Sequence, residues 1–386
     1  MKPNLRENQL VGKKLDIAPK ADEIEVSVFG PGYGESILIH IGDNKWFIID
    51  SCIEPISKEP APLTYLNQIN VDPTNSVKLV VATHWHDDHV RGLGEIFRTC
   101  KSAEFICSIA LDSDEFLQLL SAYGVRTMME SSGIDELRKI IEILQKRNSK
   151  SKYKPPMFAV ADRCLWRESL VKTGLGYNCS VHSLSPSDAA ILAAKLDFQR
   201  LFPLEKKPKR RLMATTPNRT AVVLWVNIGA FNILLGSDLE ESGNSNNGWT
   251  VIINSTSRPI GKASFFKIPH HGSKNSHHKD IWDKMLDSEP IAVLTPYEKG
   301  NKRLPAKEDV ERICSLTNNA YATSVHRRKR TIKRDRTVEK TIRETVRNIR
   351  RLHTSTGQVR LRIKPLDEWR IELFGDALPL ERFYAF

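Results

Sequence analysis

Residues 77–89 read VKLVVATHWHDDH, an apolar run interrupted only by Lys78 that delivers the chain into three histidines and two aspartates within six residues. A run of this kind suits a buried strand rather than a half-solvated one. His84 and His86 stand two apart, the spacing that turns both side chains to one side of an extended chain. Imidazole nitrogen and carboxylate oxygen are the donors that suit zinc and related divalent ions, and a loop leaving a strand lets close residues converge where one helical turn could not. His84, His86, Asp88 and His89 are therefore candidate metal ligands, whereas Trp85 between them reads as a packing residue.

Upstream of this loop, EIEVSVFG, SILIHIG and KWFIID alternate as short strands of a mainly antiparallel sheet, separated by glycine-rich or Asp-Asn turns. The third ends at Asp50, and a helix is expected near Leu63 to Ile69. Downstream, Ile134, Leu137, Ile140, Ile141 and Leu144 recur at helical spacing. A second set of strands follows in CSVHSLS, AVVLWVNIG, AFNILLGSD and ASFFKIPHHG, the last two ending in polar residues of ligand type. Ser187 to Gln199 and His277 to Leu286 read as helices, and IAVLTP, AKEDVERICSL and AYATSV continue the strand and helix alternation. The class is α/β, with two strand-rich halves that suit two packed sheets. The basic loop from Phe202 to Arg219 reads as a surface excursion.

With 386 residues, 40% apolar and 27% charged, the chain has the make-up of one large globular domain or two ordinary ones. No stretch approaches the roughly 18 apolar residues of a membrane span, and MKPNLRENQLVGKK is too polar for a signal peptide. Six scattered cysteines without a CxxC pair argue against a disulfide framework and for a reducing cytoplasm. The net charge of +12 is concentrated: residues 326–364 hold 15 Lys+Arg against 3 Asp+Glu, which leaves the remainder formally neutral. Such asymmetry is expected of a polyanion contact, with Arg327, Arg328, Lys329 and Arg330 as its leading residues. The same segment carries Ile342, Val346 and Ile349 at helical spacing, followed by a strand-like GQVRLRIKPLDEWRIELFG that reads as a hairpin packed on the core.

The HWHDDH segment resembles the HxHxDH signature of the metallo-β-lactamase fold superfamily. Asp50 looks like the aspartate of that family that supports the metal loop. Asp238, closing ILLGSD, stands where the family places a metal-bridging aspartate. KIPHHGS supplies the last histidine, His271 by preference and His270 as the second choice. Gly32-Tyr33-Gly34-Glu35-Ser36, the PHHGS segment and Asn218 resemble the branch that includes the soluble domain of the bacterial competence DNA-uptake channel and phosphorylcholine esterases. The resemblance implies an αββα sandwich of two mixed sheets over residues 23–325, after a polar lead at 1–22. A basic helix and terminal strands at 326–386 would form a C-terminal extension packed on the core.

It also implies a cofactor, one or two divalent ions, Zn²⁺ or Mn²⁺. Such an ion lowers the pKa of bound water towards about 7, which makes an activated hydroxide available at neutral pH. His84 and His86 would hold one ion and Asp88 and His89 the other, with Asp238 between them. Asp88 and Asp50 are the catalytic carboxylates of this scheme, Asp50 mainly by orienting a ligand. Lys274 and His277, after the HHGS turn, would contact substrate or simply open a solvated helix. One departure stands out: Ser185 occupies the place where the family presents a further histidine. His182, three residues earlier, is either a substitute ligand or a structural residue on the opposite face; otherwise water, His270 or a loosely held second ion completes the set.

The expected activity is that of a metal-dependent phosphodiesterase, most readily a nuclease on DNA or RNA, with a role in bacterial defence against phage suggested by the resemblance alone. Nucleic acid would be the partner, with no membrane association. The competing readings are hydrolysis of a small phosphodiester, lactone or thioester, and a non-catalytic binding module with a degenerate metal site that serves a protein partner.

Overall fold

The computed structural model describes residues 16–114, 116, 133–148, 154–170, 176–200, 217–326, 335–345, 356–364 and 367–385. The strands are β1 (Ile24–Gly30), β2 (Ser36–His40), β3 (Trp46–Ile49), β4 (Val77–Ala82), β5 (Glu104–Ser108), β6 (Met157–Ala159), β7 (Arg163–Ser169), β8 (Asn178–Ser183), β9 (Leu224–Ile228), β10 (Phe231–Leu235), β11 (Ala263–Lys267) and β12 (Leu286–Leu294). There follow β13 (Tyr297–Lys299), β14 (Lys302–Leu304), β15 (Ala320–Ala322), β16 (Gly357–Ile363), β17 (Arg370–Phe374) and β18 (Leu378–Pro379). One sheet runs β17-β16-β1-β2-β3-β4-β5-β6 and the other β18-β15-β12-β11-β10-β9-β8-β7, while β13 and β14 form a separate hairpin.

Both sheets are mixed. β1 to β3 pair antiparallel, as the short turns between them require, but β3, β4, β5 and β6 pair parallel, as do β10, β11, β12 and β15. Period-two alternation then assigns each strand's two faces. Val26, Val28, Ile37, Ile39, Phe47, Ile49, Leu79 and Val81 meet Leu224, Val226, Ile233, Leu235, Phe265 and Val293 between the sheets. The intervening Leu38, Trp46, Ile48 and Val80 face a helical layer with Tyr65, Phe97 and Leu137. Trp225, Leu234 and Phe266 face a second helical layer with Trp249, Ile281 and Ile313. The layers are α, β, β, α. Each fully buried Val, Leu or Ile contributes about 1.5–3 kcal/mol through removal of apolar surface from water, and strands apolar on both faces have no other stable place.

The C-terminal strands belong to both sheets: β16 pairs with β1 along its whole length, and β18 pairs with β15. This alters the reading of the basic segment. Arg362 is buried and its Nε donates to Glu25 at 2.7 Å; Arg360, also buried, donates to Glu372 at 2.8 Å. Tyr65 and Ser27 donate to the remaining oxygen of Glu25 at 2.8 and 2.7 Å. Part of the charge assigned to a polyanion contact is thus spent inside the fold, because a strand covered by a helix must neutralise its cations locally. The helix Arg336–Thr345 carries exposed Arg336 and Lys340. Arg327, Arg328, Lys329 and Arg330, Val346 and Ile349 lie outside the described residues, as do positions 201–216 of the basic loop. Among the described residues, no helix is long and apolar enough to cross a membrane.

His40 in β2 gives the fold a pH dependence. It is buried, with Nδ1 2.7 Å from the Glu23 carbonyl oxygen and its ring 4.7 Å from that of Trp46. Burial pushes its pKa down from 6.5 to about 4, with the nearby Arg362 charge acting the same way. Above pH 6.5 the imidazole is neutral in both states. As pH falls towards 4 only the unfolded chain takes up the proton, so about 3 kcal/mol of stability should be lost across that window. Denaturant melts of wild type and His40→Gln between pH 7 and 4 check this: parallel pH profiles for the two proteins would refute the assignment.

Candidate metal centre

The proposed donors sit at the carboxyl ends of neighbouring parallel strands. Asp50 follows β3, His84 to His89 follow β4, Asp238 follows β10, and His270 and His271 follow β11. Asp50, Ser237, His270 and His271 all have left-handed backbones, with φ of 58°, 47°, 46° and 56°. For residues other than glycine this conformation costs of order 1–3 kcal/mol and collects where a site over-determines the chain. Gly34, with φ of 103°, lets the turn before β2 press against the metal loop: a Cβ there would lie 2.9 Å from Cys52 Cβ and 3.3 Å from the Asp88 carbonyl oxygen.

Hydrogen bonds fix which histidine nitrogens are free. The single hydroxyl proton of Thr83 goes to Asp50 Oδ2 at 2.7 Å, since a carboxylate can only accept. Ser237 Oγ donates to Thr83 Oγ1 at 2.7 Å, so the contact of His84 Nδ1 with Thr83 Oγ1 at 3.0 Å places the proton on Nδ1. His84 Nε2 is left with a lone pair, 3.1 Å from His86 Nδ1 and 4.0 Å from Asp238 Oδ2. His89 donates Nδ1–H to Asp50 Oδ2 at 2.7 Å, and His271 donates Nδ1–H to the Thr295 carbonyl oxygen at 2.9 Å. Their Nε2 atoms face inward: His89 Nε2 is 3.3 Å from Asp238 Oδ1, and His271 Nε2 is 3.4 Å from Asp88 Oδ2 and 3.6 Å from Asp238 Oδ2.

Two donor sets result, His84, His86 and Asp238 on one side and Asp88, His89 and His271 on the other, each within 4.8 Å. Asp238 lies between them. Among the described residues, buried Asp238 Oδ1, His89 Nε2 and Glu35 Oε1 have no hydrogen-bond partner, although the three residues cluster together. Buried polar atoms are rarely left so, and carboxylates gathered around inward-facing imidazole nitrogens fit a cation. The residues present therefore suit a divalent ion.

Electrostatics supports the same conclusion. Burial, reinforced by the charges of His89 and His86, holds His84 well below its ordinary pKa and keeps it neutral. Burial would raise the Asp238 and Asp88 carboxyls, but His89 and His271 hold Asp238 well below the usual range, and the hydrogen bond from His271, together with His89, lowers Asp88. Burial would lower His89 and His271 too, yet carboxylates led by Asp238 raise both. An incoming ion would displace those protons.

Asp50 spends both oxygens on Thr83 and His89, so it orients His89 rather than touching reacting atoms. His270 turns away from the donor sets, with Nδ1 3.1 Å from Glu240 Oε1, which leaves His271 as the residue facing inward. The Ser185 hydroxyl donates to the Ala221 carbonyl oxygen at 2.6 Å and accepts from Val223 N–H at 2.8 Å, so it serves the backbone. His182, opposite Trp225 in the β8–β9 ladder, belongs to neither donor set. Lys274 is exposed and His277 half-buried, and neither belongs to a donor set. Trp85 packs near Phe116 and Phe198, with centroids 6.0 and 6.4 Å away.

A buried triad below the histidines did not emerge from sequence reasoning. Lys267 Nζ donates to Glu35 Oε2 at 2.7 Å and to the Ile268 carbonyl oxygen at 3.1 Å, while Thr295 Oγ1 donates to the same Glu35 oxygen. Its signal was a lone lysine in the otherwise apolar FFKIP.

Residues 29–115 match the family described as the metallo-beta-lactamase superfamily. Comparison with curated proteins gives no match. Among solved structures, the chain is similar to the metallo-beta-lactamase fold protein YhfI from Bacillus subtilis at 12% identity, covering 78% of this chain and 95% of that one, with a TM-score of 0.37. Rm3 metallo-beta-lactamase aligns at 14% identity over 59% of this chain and 65% of its own, with a TM-score of 0.28. The short form of human tRNase Z aligns at 10% identity over 62% and 76%, with a TM-score of 0.29. The two mixed sheets between helical layers give this chain a metallo-β-lactamase fold, and residues 29–115 within it match the model of the metallo-beta-lactamase superfamily.

Proposed function

We propose that the protein is a metal-dependent phosphodiesterase acting on DNA or RNA. The observation that carries this reading is Asp238, whose two oxygens reach histidines of both donor sets. Two adjacent ions, when bound, would supply an activated water as the attacking nucleophile and Lewis acidity for the leaving oxygen of a phosphodiester. The chain's own residues set up that chemistry. Asp50 and the Thr295 carbonyl oxygen hold the proton on the outer nitrogen of His89 and His271, Thr83 does so for His84, and Asp88 and Asp238 provide negative charge. The bacterial defence role and the kinship with the DNA-uptake branch stay part of this proposal, resting on the sequence motifs alone.

A small phosphodiester is the second reading, favoured by one observation. The cavity beside Asp88 measures about 250 Å³ and is lined by Asp87, Asp88, Glu298 and Asp376 against only Lys58 and Arg91. A small cationic leaving group would suit such walls better than a polyanion. Hydrolysis assays with Zn²⁺ or Mn²⁺, on single- and double-stranded DNA and RNA beside small phosphodiesters and lactones, separate the readings. Failure to cleave any phosphodiester under any metal would remove the proposal.

Ser185 adds a prediction about stoichiometry. The His84, His86 and Asp238 set offers fewer donors than Asp88, His89, His271 and the shared Asp238, and the serine hydroxyl contributes none. One ion should therefore bind at least about tenfold more weakly than the other. In a metal titration followed by elemental analysis, occupancy should rise in two steps, and His86→Ala should abolish only the weaker one. Two equally tight ions in the wild type would contradict this.

A further inference from the structure

We propose that Tyr33, Tyr297, Lys299 and Lys302, with Arg91 nearby, form a rim that positions single-stranded nucleic acid at the metal centre. This rests on the phosphodiesterase reading and names its substrate class. The hairpin β13–β14 follows directly from Thr295, and Glu298 N–H donates to the Gly32 carbonyl oxygen at 2.8 Å, which docks the hairpin on the glycine-rich turn. That contact brings two aromatic rings together beside the donors. The Tyr297 ring lies 5.1 Å from that of His271, and Tyr33 meets Tyr297 edge-on at 5.6 Å. Both tyrosines are half-buried, and so keep part of their surface for contact.

The charges on this hairpin lie beside the aromatic rings. Lys299 Nζ donates to Tyr33 Oη at 2.7 Å, and Lys302 Nζ stands 5.6 Å from the Tyr297 ring centroid. Among the described residues neither lysine has a carboxylate within ion-pair distance, whereas their neighbour Arg303 pairs with Glu298 at 2.8 Å. Lys284 pairs with Asp280 and Lys307 with Glu311, while other exposed lysines such as Lys262 and Lys274 have no carboxylate partner among the described residues. Arg91, exposed on the cavity wall with Tyr33 and Asp88, also has no ion-pair partner among the described residues.

Uncompensated cations next to aromatic faces are the combination that binds a single strand. Lysines meet backbone phosphates as point charges, and tyrosines stack bases that are not already paired. A duplex keeps its bases stacked inside and leaves the tyrosines unused. The rim would therefore place the strand while the donor sets below address the scissile phosphate.

The test uses the full-length protein and a fluorescent oligothymidylate. Affinity is measured with chelator present to prevent turnover, then KM and kcat with Mn²⁺. Lys302→Gln should weaken binding about tenfold at low salt and reduce the slope of log affinity against log salt by about 0.7. Its KM should rise while kcat changes less than about twofold, and Lys302→Arg should restore affinity. Tyr297→Leu should raise KM about tenfold without altering the salt slope. Lys262→Gln, at the opposite end of β11, serves as a charge control and should behave as wild type. Wild-type affinity and salt slope in Lys302→Gln, equal affinity for duplex and single strand, or no binding of the oligonucleotide at all would each overturn the rim. Binding through the rim without any phosphodiester cleavage would instead remove the proposed activity and leave the rim standing.

Discussion

Asp238→Asn should lower metal occupancy at both positions and reduce the proposed phosphodiester turnover by about a thousandfold. One carboxylate stands 3.3 Å from His89 Nε2, 3.6 Å from His271 Nε2 and 4.0 Å from His84 Nε2, so a single substitution reaches both donor sets. The asparagine keeps the shape but removes the charge, and it turns an N–H towards nitrogens that must offer lone pairs. Metal-derived stabilisation of a transition state amounts to several kcal/mol, and at 1.36 kcal/mol per decade its loss gives about three orders of magnitude. The effect should also depend on pH in a defined direction. His89 and His271 are raised above the ordinary imidazole value by the carboxylates around them, which outweigh burial, so protons compete with the ion more strongly as pH falls. Wild-type occupancy should therefore fall on mild acidification. In Asp238→Asn, loss of the leading carboxylate lowers both imidazoles and flattens that dependence. Elemental analysis of both proteins across pH, paired with turnover, decides the matter: wild-type metal content and rate in Asp238→Asn would rule out its bridging place.

The sequence exposed the donors most clearly where chemistry was local. His84, His86, Asp88 and His89 lie within six residues, and any buried strand that ends there must bring them together. Asp50 was visible as a strand-end aspartate, but its partner His89 is 39 residues away, and only the fold shows that both its oxygens are taken. Choosing between His270 and His271 depended on backbone conformation, since both have left-handed φ and their side chains diverge. Ser185 looked like a gap in the ligand set; its hydrogen bonds to Ala221 and Val223 show a residue committed to holding the adjacent chain. In the basic segment, Arg327 to Arg330 lie outside the described residues, while two arginines of β16 are internal. Charge counting cannot distinguish an arginine in water from one beneath a helix, and Arg360 and Arg362 are of the second kind. Parallel pairing of β3 through β6 was also hidden, because a strand's neighbours are set by the crossovers between strands rather than by its own residues.

The largest stability effect is expected at Lys267, which is fully buried and separated from its partner Glu35 by 232 residues. Lys267→Met leaves a carboxylate in a dry site beside Asp238, which should cost about 3–5 kcal/mol at neutral pH. Removing both charges, in Glu35→Leu with Lys267→Met, should recover most of that loss, because neither an orphaned ion nor its desolvation remains. The pH dependence distinguishes this from simple loss of packing. In the wild type, burial would raise the Glu35 carboxyl, but Lys267, followed by His89, brings it below the ordinary value. Its contribution is present above the unfolded carboxylate pKa and is lost as pH falls through the lower folded value. In Lys267→Met the leading cation is gone and burial prevails, so the folded state gains stability by taking up a proton. The deficit relative to wild type should therefore narrow as pH falls. Urea denaturation of the three proteins at several pH values measures it through midpoints at constant slope. A deficit below about 1 kcal/mol at neutral pH, or one unchanged by acidification, would show that Glu35 is not held ionised by Lys267 and that the triad contributes packing alone.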